Sequence, residues 1–469
     1  MEEDRFKTQG PQVKNPSDIA DTIVAVATPL GESAIGVVRL SGPQAVSIVE
    51  RLVGKSLFRH ESSKILLYRI PHQDGILDEA LISVFRAPGS YTGEEMVEIS
   101  SHGSVFVMRK IVEKVVESGA RVAGPGEFTL RAFLNGKMDL VQAEAVCRLI
   151  RTRTEQSHRL ASRQMEGALS KTVGTLREKL LELAAHAEAC LDHPEEDIPP
   201  LKPGEFLREL DGMGRCLTEL KESFRFGRLL QEGVCLAIVG SPNVGKSSLL
   251  NAILRKDRAI VSEMPGTTRD TLEEWADLDG LAAWFVDTAG LRQHVLDPVE
   301  EMGMVRTRQA MEKADVILWV IDGSRPLRRE DVYVHSEIRG RKALAVLNKL
   351  DAGVHPASWD GFQMERVSVS AKTGEGMAEL FAKVKDLLSL PEDSPAPVYL
   401  TEVRHRQVVE RTLGRLEEAG QMIRRDGTAA YDVAAVCLRE GLGILGEMTG
   451  EVTSEDVLER VFSRFCVGK

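Results

Sequence analysis

The sequence lacks the features that mark secreted, zinc-binding or membrane-spanning proteins. Its six cysteines, at positions 147, 190, 216, 235, 437 and 466, form no C-x-x-C pair, so neither a disulfide framework nor a zinc site is indicated. No apolar run approaches the ~20 residues of a membrane-spanning helix, and the first residues are acidic and polar rather than typical of a secretory signal. These absences favour a cytoplasmic location and no membrane partner.

An excess of basic charge is also missing. The net charge of −11 argues against non-specific binding of polyanions by the whole surface, so any contact with nucleic acid must use a local basic patch. Two arginine-rich stretches qualify, and they can either contact phosphates or form solvated helix faces with salt-bridge partners. Their members are Arg148, Arg151, Arg153, Arg159 and Arg163 in the first stretch, and Arg404, His405, Arg406 and Arg411 in the second.

The most specific motif in the chain is the octapeptide Gly240–Ser247, GSPNVGKS, which fits the pattern G-x-x-x-x-G-K-[ST]. It follows the apolar run Val234–Val239 and precedes a helix-like segment, which is the context of a phosphate-binding P-loop. Small residues let backbone N–H groups surround phosphate oxygens at a helix N-terminus. We expect Lys246 to contact the β- and γ-phosphates and Ser247 to offer its hydroxyl to Mg²⁺.

Three further segments indicate that the bound base is guanine. In D-T-A-G at 287–290, Asp287 can hold the Mg²⁺ shell through water and the Gly290 amide can sense the γ-phosphate. In N-K-L-D at 348–351, a carboxylate can accept hydrogen bonds from guanine N1–H and N2–H₂, whereas adenine would leave it unpaired. S-A-K at 370–372 can supply a backbone donor to the guanine O6. The predicted GTP-binding residues are Asn243, Val244, Gly245, Lys246, Ser247, Ser248, Ser262, Thr267, Thr268, Asp287, Thr288, Ala289, Gly290, Asn348, Lys349, Asp351, Ser370, Ala371 and Lys372.

The residues that would activate hydrolysis are less conventional. Leu291 follows the D-T-A-G segment, where many GTPases carry a glutamine that orients water. Glu300 and Glu301 are the nearby carboxylates, and they are either water-orienting groups or part of a solvated loop face. Thr268 can complete the Mg²⁺ shell in an order–disorder switch. Asn243 suits a monovalent cation that replaces an arginine finger, or it is a structural asparagine in a tight turn.

The length of 469 residues predicts about three domains. The predicted fold class is multidomain, with an α+β N-terminal domain, an all-α helical bundle, and an inserted α/β P-loop GTPase domain of the Ras-like, doubly wound type. Alternating apolar runs before about Arg86 predict short strands, and helical spacing from Asp139 to about Leu191 predicts a long helix. The predicted bounds are a disordered lead at 1–19, the N-terminal domain at 20–137, the helical domain at 138–231 and 392–469, and the GTPase domain at 232–391.

Motifs outside the nucleotide site carry a family resemblance. They are DTIV at 21–24, ATP at 27–29, VRLSG at 38–42, SYTGE at 90–94, HG at 102–103, PGEFT at 125–129, RAFLNGKMDL at 131–140, QAEA at 142–145 and FCVGK at 465–469. With these motifs the chain resembles the MnmE (TrmE) family of tRNA-modification GTPases over about residues 20–469.

The resemblance implies a homodimeric enzyme with a flavin partner. Together with MnmG, an FAD-binding protein in a heterotetramer, it would place an aminomethyl or carboxymethylaminomethyl group on C5 of the wobble uridine of tRNA. The one-carbon unit would come from 5-formyltetrahydrofolate or a related reduced folate bound in the N-terminal domain, which pairs with its twin. The two nucleotide domains would meet when GTP and K⁺ are present, and this meeting would activate hydrolysis.

The resemblance also implies roles for individual residues. Mg²⁺ would be held by Ser247, Thr268 and, through water, Asp287, and K⁺ by Asn243, Ser262, Met264 and Thr267. The water-orienting glutamate aligns with Glu300, although one extra residue after Asp287 leaves Glu301 as an alternative. Arg39, Glu98 and Lys137 align with folate-contacting residues, and Lys469 would lie close to the same site.

Cys466 stands in the terminal signature of the family and would join Glu300 and Lys246 as a catalytic residue. A nucleophilic role for its thiolate is one reading, and an incidental cysteine near the chain terminus is the other. Lys469 and Arg464 would favour the thiolate modestly.

Two rival functions use the same nucleotide motifs. One is a GTPase that docks on ribosomal RNA during ribosome assembly without modification chemistry, and the other is a signalling scaffold.

Overall fold

The computed structural model describes residues 21–57, 65–73, 75–192, 202–256, 274–286, 308–355, 362–389 and 398–469. The chain divides into two compact units. The first unit draws on the segments Met1–Ile150, Gln164–Arg215 and Gln407–Lys469, and the second on Arg151–Arg163 and Cys216–Arg406. None of the helices within the described ranges has both the length and the apolar character needed to span a bilayer.

The first unit contains a six-stranded sheet with the order β3-β4-β5-β2-β1-β6. Neighbouring strands are antiparallel except for β1 and β6. Two helices, α1 (Ala45–Val53) and α2 (Val105–Glu117), bury their apolar sides on one face of this sheet, where Val38, Ile82 and Ile99 complete the core. The strands are β1 (Ile23–Val26), β2 (Ser33–Ser41), β3 (Ile65–His72), β4 (Gly75–Phe85), β5 (Met96–Gly103) and β6 (Arg121–Val122).

Among the residues that the structure describes, the other face of this sheet is covered at one end only. Near β1, the buried residues Ala25, Ala123 and Phe128 form a small core. At the far end the apolar side chains of Leu67 and Leu81 are directly paired across β3 and β4 and remain 61% and 43% exposed. This end of the face therefore presents apolar surface to its surroundings.

Helices follow this sheet along the chain, and the long helix predicted from Asp139 to about Leu191 is divided into three, of which the second lies mostly in the second unit. Reciprocal hydrogen bonds between Thr154 and Ser157 cap the start of the second helix, and Gly167, with φ 84°, separates it from the third. The helices from this region onward are α3 (Glu127–Leu134), α4 (Leu140–Arg151), α5 (Glu155–Met165), α6 (Ala168–Asp192) and α7 (Pro203–Glu232).

The second unit contains a six-stranded sheet with the order β12-β11-β10-β7-β9-β8, parallel except for the β8–β9 hairpin. The central strands β7 (Val234–Val239) and β10 (Val316–Asp322) are buried along their whole length, as strands covered on both faces are. The other elements of this unit are α8 (Lys246–Lys256), β8 (Glu274–Leu278), β9 (Leu281–Phe285), α9 (Arg329–Ile338), β11 (Ala343–Asn348), β12 (Arg366–Ser368) and α10 (Met377–Leu388).

This parallel sheet determines where a ligand site forms. Loops that follow the carboxyl ends of parallel strands meet at one edge of the sheet, which is where open α/β sheets bind ligands. The P-loop follows β7, Asp322 ends β10, and Asn348 ends β11.

The remaining helices in the described part of the chain are α11 (Val403–Asp426), α12 (Tyr431–Thr449) and α13 (Glu455–Phe462). Of these, α12 packs against α6.

Candidate functional sites

The loop between β7 and α8 has the close backbone approaches that require glycine. A Cβ atom added to Gly240 would lie 2.3 Å from the Val320 carbonyl oxygen, and one added to Gly245 would lie 2.2 Å from Asn348 Nδ2. Both glycines also have positive φ angles, 151° and 97°. The loop therefore passes directly over the ends of β10 and β11, and its amides precede the N-terminus of α8, where anions are favoured.

Lys246 and Asn243 occupy different positions on this loop. The Lys246 Nζ donates hydrogen bonds to the carbonyl oxygens of Gly240 at 2.8 Å and Ser241 at 2.9 Å. Burial lowers the pKa of Lys246 below its ordinary value. Asn243 is exposed, and its backbone lies in the left-handed region with φ 64°. Asparagine tolerates this backbone conformation better than most residues do. Its side chain is thus accessible at the outer side of the loop, and its backbone also suits a tight turn.

Asn348 ties three of the four predicted nucleotide motifs together, namely the P-loop, N-K-L-D and S-A-K. Its Nδ2 donates to the Val244 carbonyl oxygen of the P-loop at 2.9 Å, and its Oδ1 accepts from the Ala371 amide at 3.0 Å. The residue is 2% exposed. Its amide group therefore fixes the loops relative to one another.

Asp351 is the accessible carboxylate of this cluster. Its Oδ1 accepts a hydrogen bond from the Ser370 hydroxyl at 2.7 Å, and its Oδ2 lies 4.0 Å from the Lys372 ammonium. The side chain is 27% exposed, so lone pairs remain available to a base. Lys349, in the left-handed region with φ 72°, donates to Asp322 at 2.7 Å.

Two carboxylates beside the loop were not predicted from the sequence. Asp331 of α9 is fully buried and accepts a hydrogen bond from the Ser241 hydroxyl at 2.6 Å. Burial alone would raise the pKa of Asp322, but its hydrogen bonds with Lys349 and Ser324 outweigh burial and hold the pKa below its ordinary value. Neither aspartate belongs to a nucleotide motif, so only the folded chain reveals their positions.

Several predicted residues lie outside the described ranges. These are Ser262, Met264, Thr267, Thr268, Asp287, Thr288, Ala289, Gly290, Glu300 and Glu301. Their roles in binding Mg²⁺ and K⁺ and in orienting water stay predictions.

A second cluster of predicted residues forms in the first unit, where the C-terminal segment lies against the sheet. Val467 pairs with Pro125, and the Gly126 amide donates to the Cys466 carbonyl oxygen at 3.4 Å. A Cβ atom added to Gly468 would lie 2.4 Å from the Val26 carbonyl oxygen. The glycine of the terminal signature therefore allows the segment to approach β1.

Arg39 joins this segment to the sheet. Its Nε and Nη2 contact the same oxygen of Glu98, Oε1, at 2.9 and 2.7 Å, and its Nη1 donates to the Gly468 carbonyl oxygen at 3.3 Å. The Arg39 and Glu98 side chains are 17% and 23% exposed. The guanidinium carbon also lies 5.8 Å from the ring centres of Tyr91 and Phe128.

Lys469 and Cys466 share the electrostatic environment of this pair. Burial lowers the pKa of Lys469, the charge of Arg39 lowers it further, and Cys466 and Glu98 act in the opposite direction. Cys466 is exposed to solvent. The Lys137 Nζ, which was predicted to join this group, donates instead to the Pro88 carbonyl oxygen at 2.9 Å.

A buried ion cluster supports the same region. The Arg131 side chain is 1% exposed and contacts Asp21 at 2.7 Å, Glu127 at 3.2 Å and Glu94 at 3.3 Å. Glu94 also accepts from the Ser41 hydroxyl at 2.7 Å, which links this cluster to the end of β2. Asp21, Glu94 and Arg131 all lie in the motifs that carry the resemblance, but their separation along the chain hides that they meet in the fold.

The arginine-rich stretches form contacts within the protein. Arg159 pairs with Glu155 at 2.5 Å, and Arg411 pairs with Glu447 at 2.7 Å. These pairs match the alternative of solvated helix faces with salt-bridge partners.

Comparison with known proteins agrees with the motifs. A family model described as the MnmE helical domain matches residues 140–466, and one described as GTP-binding protein TrmE N-terminus matches residues 22–137. The tRNA modification GTPase MnmE of Aquifex aeolicus is 41% identical over 452 residues, which cover 96% of this chain and 100% of that protein. The protein of the same name from Thermotoga maritima is 40% identical over 464 residues, with 96% and 100% covered.

One solved structure with a similar segment covers a limited part of the chain. A crystal structure of Era in complex with MgGDPNP and nucleotides 1506–1542 of 16S ribosomal RNA is 28% identical and covers 39% of this chain and 66% of that one, with a TM-score of 0.25. The assignment therefore depends on the full-length relatives, and it confirms the resemblance predicted from the motifs. The chain belongs to the MnmE family of tRNA modification GTPases.

Proposed function

We propose that this chain is a K⁺-activated GTPase that acts with a flavin partner, MnmG, to install an aminomethyl or carboxymethylaminomethyl group on C5 of the wobble uridine of tRNA. The one-carbon unit comes from a reduced folate. The observation that carries this proposal is the position of the terminal Cys466–Lys469 segment, which is fixed against Arg39 beside Glu98. A GTPase that acts only as a switch has no use for a thiol, two cations and a carboxylate in one cluster.

The nucleotide unit contributes positioning and charge. The P-loop amides and the Lys246 ammonium surround the β- and γ-phosphates, while Asp351 accepts from the guanine N1–H and N2–H₂. Ser247, Thr268 and, through water, Asp287 would hold Mg²⁺, which would supply positive charge to offset the charge that develops on the phosphates. The P-loop serine at the start of α8 fits this role.

K⁺ activation depends on Asn243. Its amide is exposed at the outer side of the P-loop, where it can offer an oxygen to a cation next to the phosphates. Ser262, Met264 and Thr267 complete this set of ligands. Glu300 then orients the attacking water, in place of the glutamine that many GTPases use.

The geometry of Glu98 fits a pterin. Both contacts from Arg39 go to Oε1, which leaves the Oε2 lone pairs available to N–H donors of the pterin. The ammonium groups of Lys469 and Lys137 then bind the glutamyl carboxylates of the folate. Cys466 acts on the uracil or on an intermediate.

The homodimer uses the apolar end of the sheet in the first unit. Leu67 and Leu81 form a cross-strand pair on the face opposite α1 and α2, and Ile65 on the same strand as Leu67 is 59% exposed. Contiguous apolar surface of this kind is typical of a protein interface. Pairing with a second copy would remove it from water.

The role of Cys466 is tested by substitution with serine. We expect Cys466→Ser to abolish formation of modified uridine in reconstituted tRNA assays with folate and the flavin partner, while GTP hydrolysis continues at the wild-type rate. Cys216→Ser, a half-buried cysteine of α7, is the matched control and should retain both activities. Modification at the wild-type level by Cys466→Ser would exclude the nucleophilic role.

A further inference from the structure

A chain of ion pairs links the phosphate loop to the guanine-binding segment through three residues that belong to no nucleotide motif, Asp331, Arg325 and Asp322. It begins at Ser241, whose hydroxyl donates to Asp331 Oδ1 at 2.6 Å. The Ser241 carbonyl oxygen accepts from Lys246 Nζ at 2.9 Å. The buried Asp331 therefore fixes the residue on which the P-loop lysine rests.

Arg325 continues this chain between two carboxylates. Its Nη1 lies 3.3 Å from Asp331 Oδ2, and its Nε lies 3.4 Å from Asp322 Oδ2. That oxygen of Asp322 also accepts from Lys349 Nζ at 2.7 Å. The path from Ser241 to Lys349 is thus a continuous series of charged and hydrogen-bonded side chains.

Burial makes this series stiff. The Asp331 side chain is 0% exposed, that of Asp322 is 8% exposed, and that of Arg325 is 18% exposed. Without the Arg325 guanidinium between them, the two largely buried carboxylates would repel each other. Each would also lose a cation whose attraction offsets the cost of removing the carboxylate from water. The Arg325 guanidinium can contact both at once because it presents several donors in a planar fork.

We propose that Arg325 is a positioning residue for guanine-nucleotide binding. It holds the P-loop, through Asp331 and Ser241, in register with the guanine-binding segment, through Asp322 and Lys349. This inference rests on the proposed assignment of the nucleotide site. The direct link through Asn348 and Val244 provides a second tie, so loss of Arg325 loosens the site without dismantling it.

The relay from Ser241 to Lys349 acts on the base and on the loop around the β-phosphate. None of its five side chains is predicted to contact the γ-phosphate or the attacking water, and Lys246, which is, keeps its separate bond to the Gly240 carbonyl oxygen. Loss of Arg325 should therefore weaken GDP and GTP binding by the same factor. Hydrolysis at saturating GTP should proceed at a nearly unchanged rate. A rise in KM with little change in kcat is the expected signature.

The test uses Arg325→Met in the full-length protein, with dissociation of a fluorescent GDP analogue followed by stopped flow and with steady-state GTP hydrolysis. We expect dissociation to be about 10- to 100-fold faster, the range that a hydrogen bond to a charged group provides. Arg325→Lys should show an intermediate effect, because an ammonium serves one carboxylate well. Arg329→Met removes an exposed arginine of α9 and should match the wild type.

Two results would overturn the inference. One is an unchanged dissociation rate and KM in Arg325→Met, even if its melting temperature falls. The other is a fall in kcat with KM unchanged. If Arg325→Met does not fold, Ser241→Ala tests the same relay and should accelerate GDP dissociation in the same direction. Failure of the wild-type protein to bind GDP would instead refute the proposed nucleotide site itself.

Discussion

Replacing Asp351 by asparagine should change the base that the protein binds. The Asp351 carboxylate has one oxygen engaged by the Ser370 hydroxyl at 2.7 Å, which orients the group without using all of its lone pairs. Guanine presents two donors, N1–H and N2–H₂, to this carboxylate. An asparagine at this position offers an NH₂ donor in place of one oxygen, so it faces a donor of guanine with a donor of its own.

The size of the effect follows from the bonds that are lost. Each hydrogen bond to a charged group contributes about 1.5–3 kcal/mol. Loss of two such bonds costs about 3–6 kcal/mol, which corresponds to a decrease in affinity of roughly 10²- to 10⁴-fold. Xanthine carries a carbonyl group where guanine carries the N2 amino group, so the asparagine NH₂ can donate to it. We therefore expect Asp351→Asn to bind XDP more tightly than GDP.

The assay measures how well GDP and XDP displace a bound fluorescent nucleotide. The fluorescent nucleotide is a guanine nucleotide for the wild-type protein and a xanthine analogue for Asp351→Asn. Asp386→Asn, an exposed aspartate of α10, controls for the loss of one negative charge and should bind GDP as the wild type does. The reasoning is refuted if Asp351→Asn keeps wild-type affinity for GDP, or if it loses GDP binding without gaining XDP binding.

Three further predictions concern the ion cluster, the cation and the terminal segment. Burial raises the pKa of Glu127, but its bonds with Arg121 and Gly124 outweigh burial and hold the pKa below its ordinary value of 4.5. Because the pKa is lower in the folded state, this stabilisation is complete above pH 4.5 and is lost as the pH falls through the folded pKa. In urea unfolding, Glu127→Gln should be less stable than the wild type at pH 7, and its stability should depend less on acid pH. Parallel curves of stability against pH for the two proteins would contradict this. Replacing K⁺ by Na⁺ should sharply lower GTP turnover, and equal rates in both salts would exclude a K⁺ site at Asn243. Gly468→Ala places a Cβ atom 2.4 Å from a carbonyl oxygen of β1, so it should reduce tRNA modification and leave GTP hydrolysis intact, whereas full modification would show that the docked segment is not required.

The nucleotide motifs could be predicted from the sequence because each one is short and contiguous. The P-loop needs glycines, a lysine and a serine within eight residues, and the structure confirms the strand and helix on either side of it. The guanine-binding segment likewise begins at the last residue of a strand, since Asn348 ends β11. In these motifs the local sequence alone specifies the chemistry.

The groups that support the sites could not be predicted, because their partners are distant in sequence. Ser241 and Asp331 are 90 residues apart, and Asp21 and Arg131 are 110 residues apart. Each of these residues taken singly reads as a surface charge or a loop residue. Only the tertiary fold shows that they are buried together.

The long helix predicted from Asp139 shows the opposite limitation. Its apolar spacing continues across both breaks, since Leu160, Leu169 and Leu176 are all buried. The Thr154–Ser157 cap and the left-handed Gly167 decide the boundaries locally, and periodicity does not detect them. Helix content was therefore predicted well and helix number was not.

The central claim, that this GTPase acts in uridine modification, is tested most directly by nucleoside mass spectrometry of bulk tRNA. The sample is a bacterial strain that lacks its own member of the family, with and without this chain. The account predicts that C5-aminomethyl-type uridines are absent from the strain and return when the wild-type chain is supplied, but not when Cys466→Ser is supplied. Unchanged tRNA in the deficient strain, together with accumulation of unassembled ribosomal subunits, would contradict it and favour a ribosome-assembly switch.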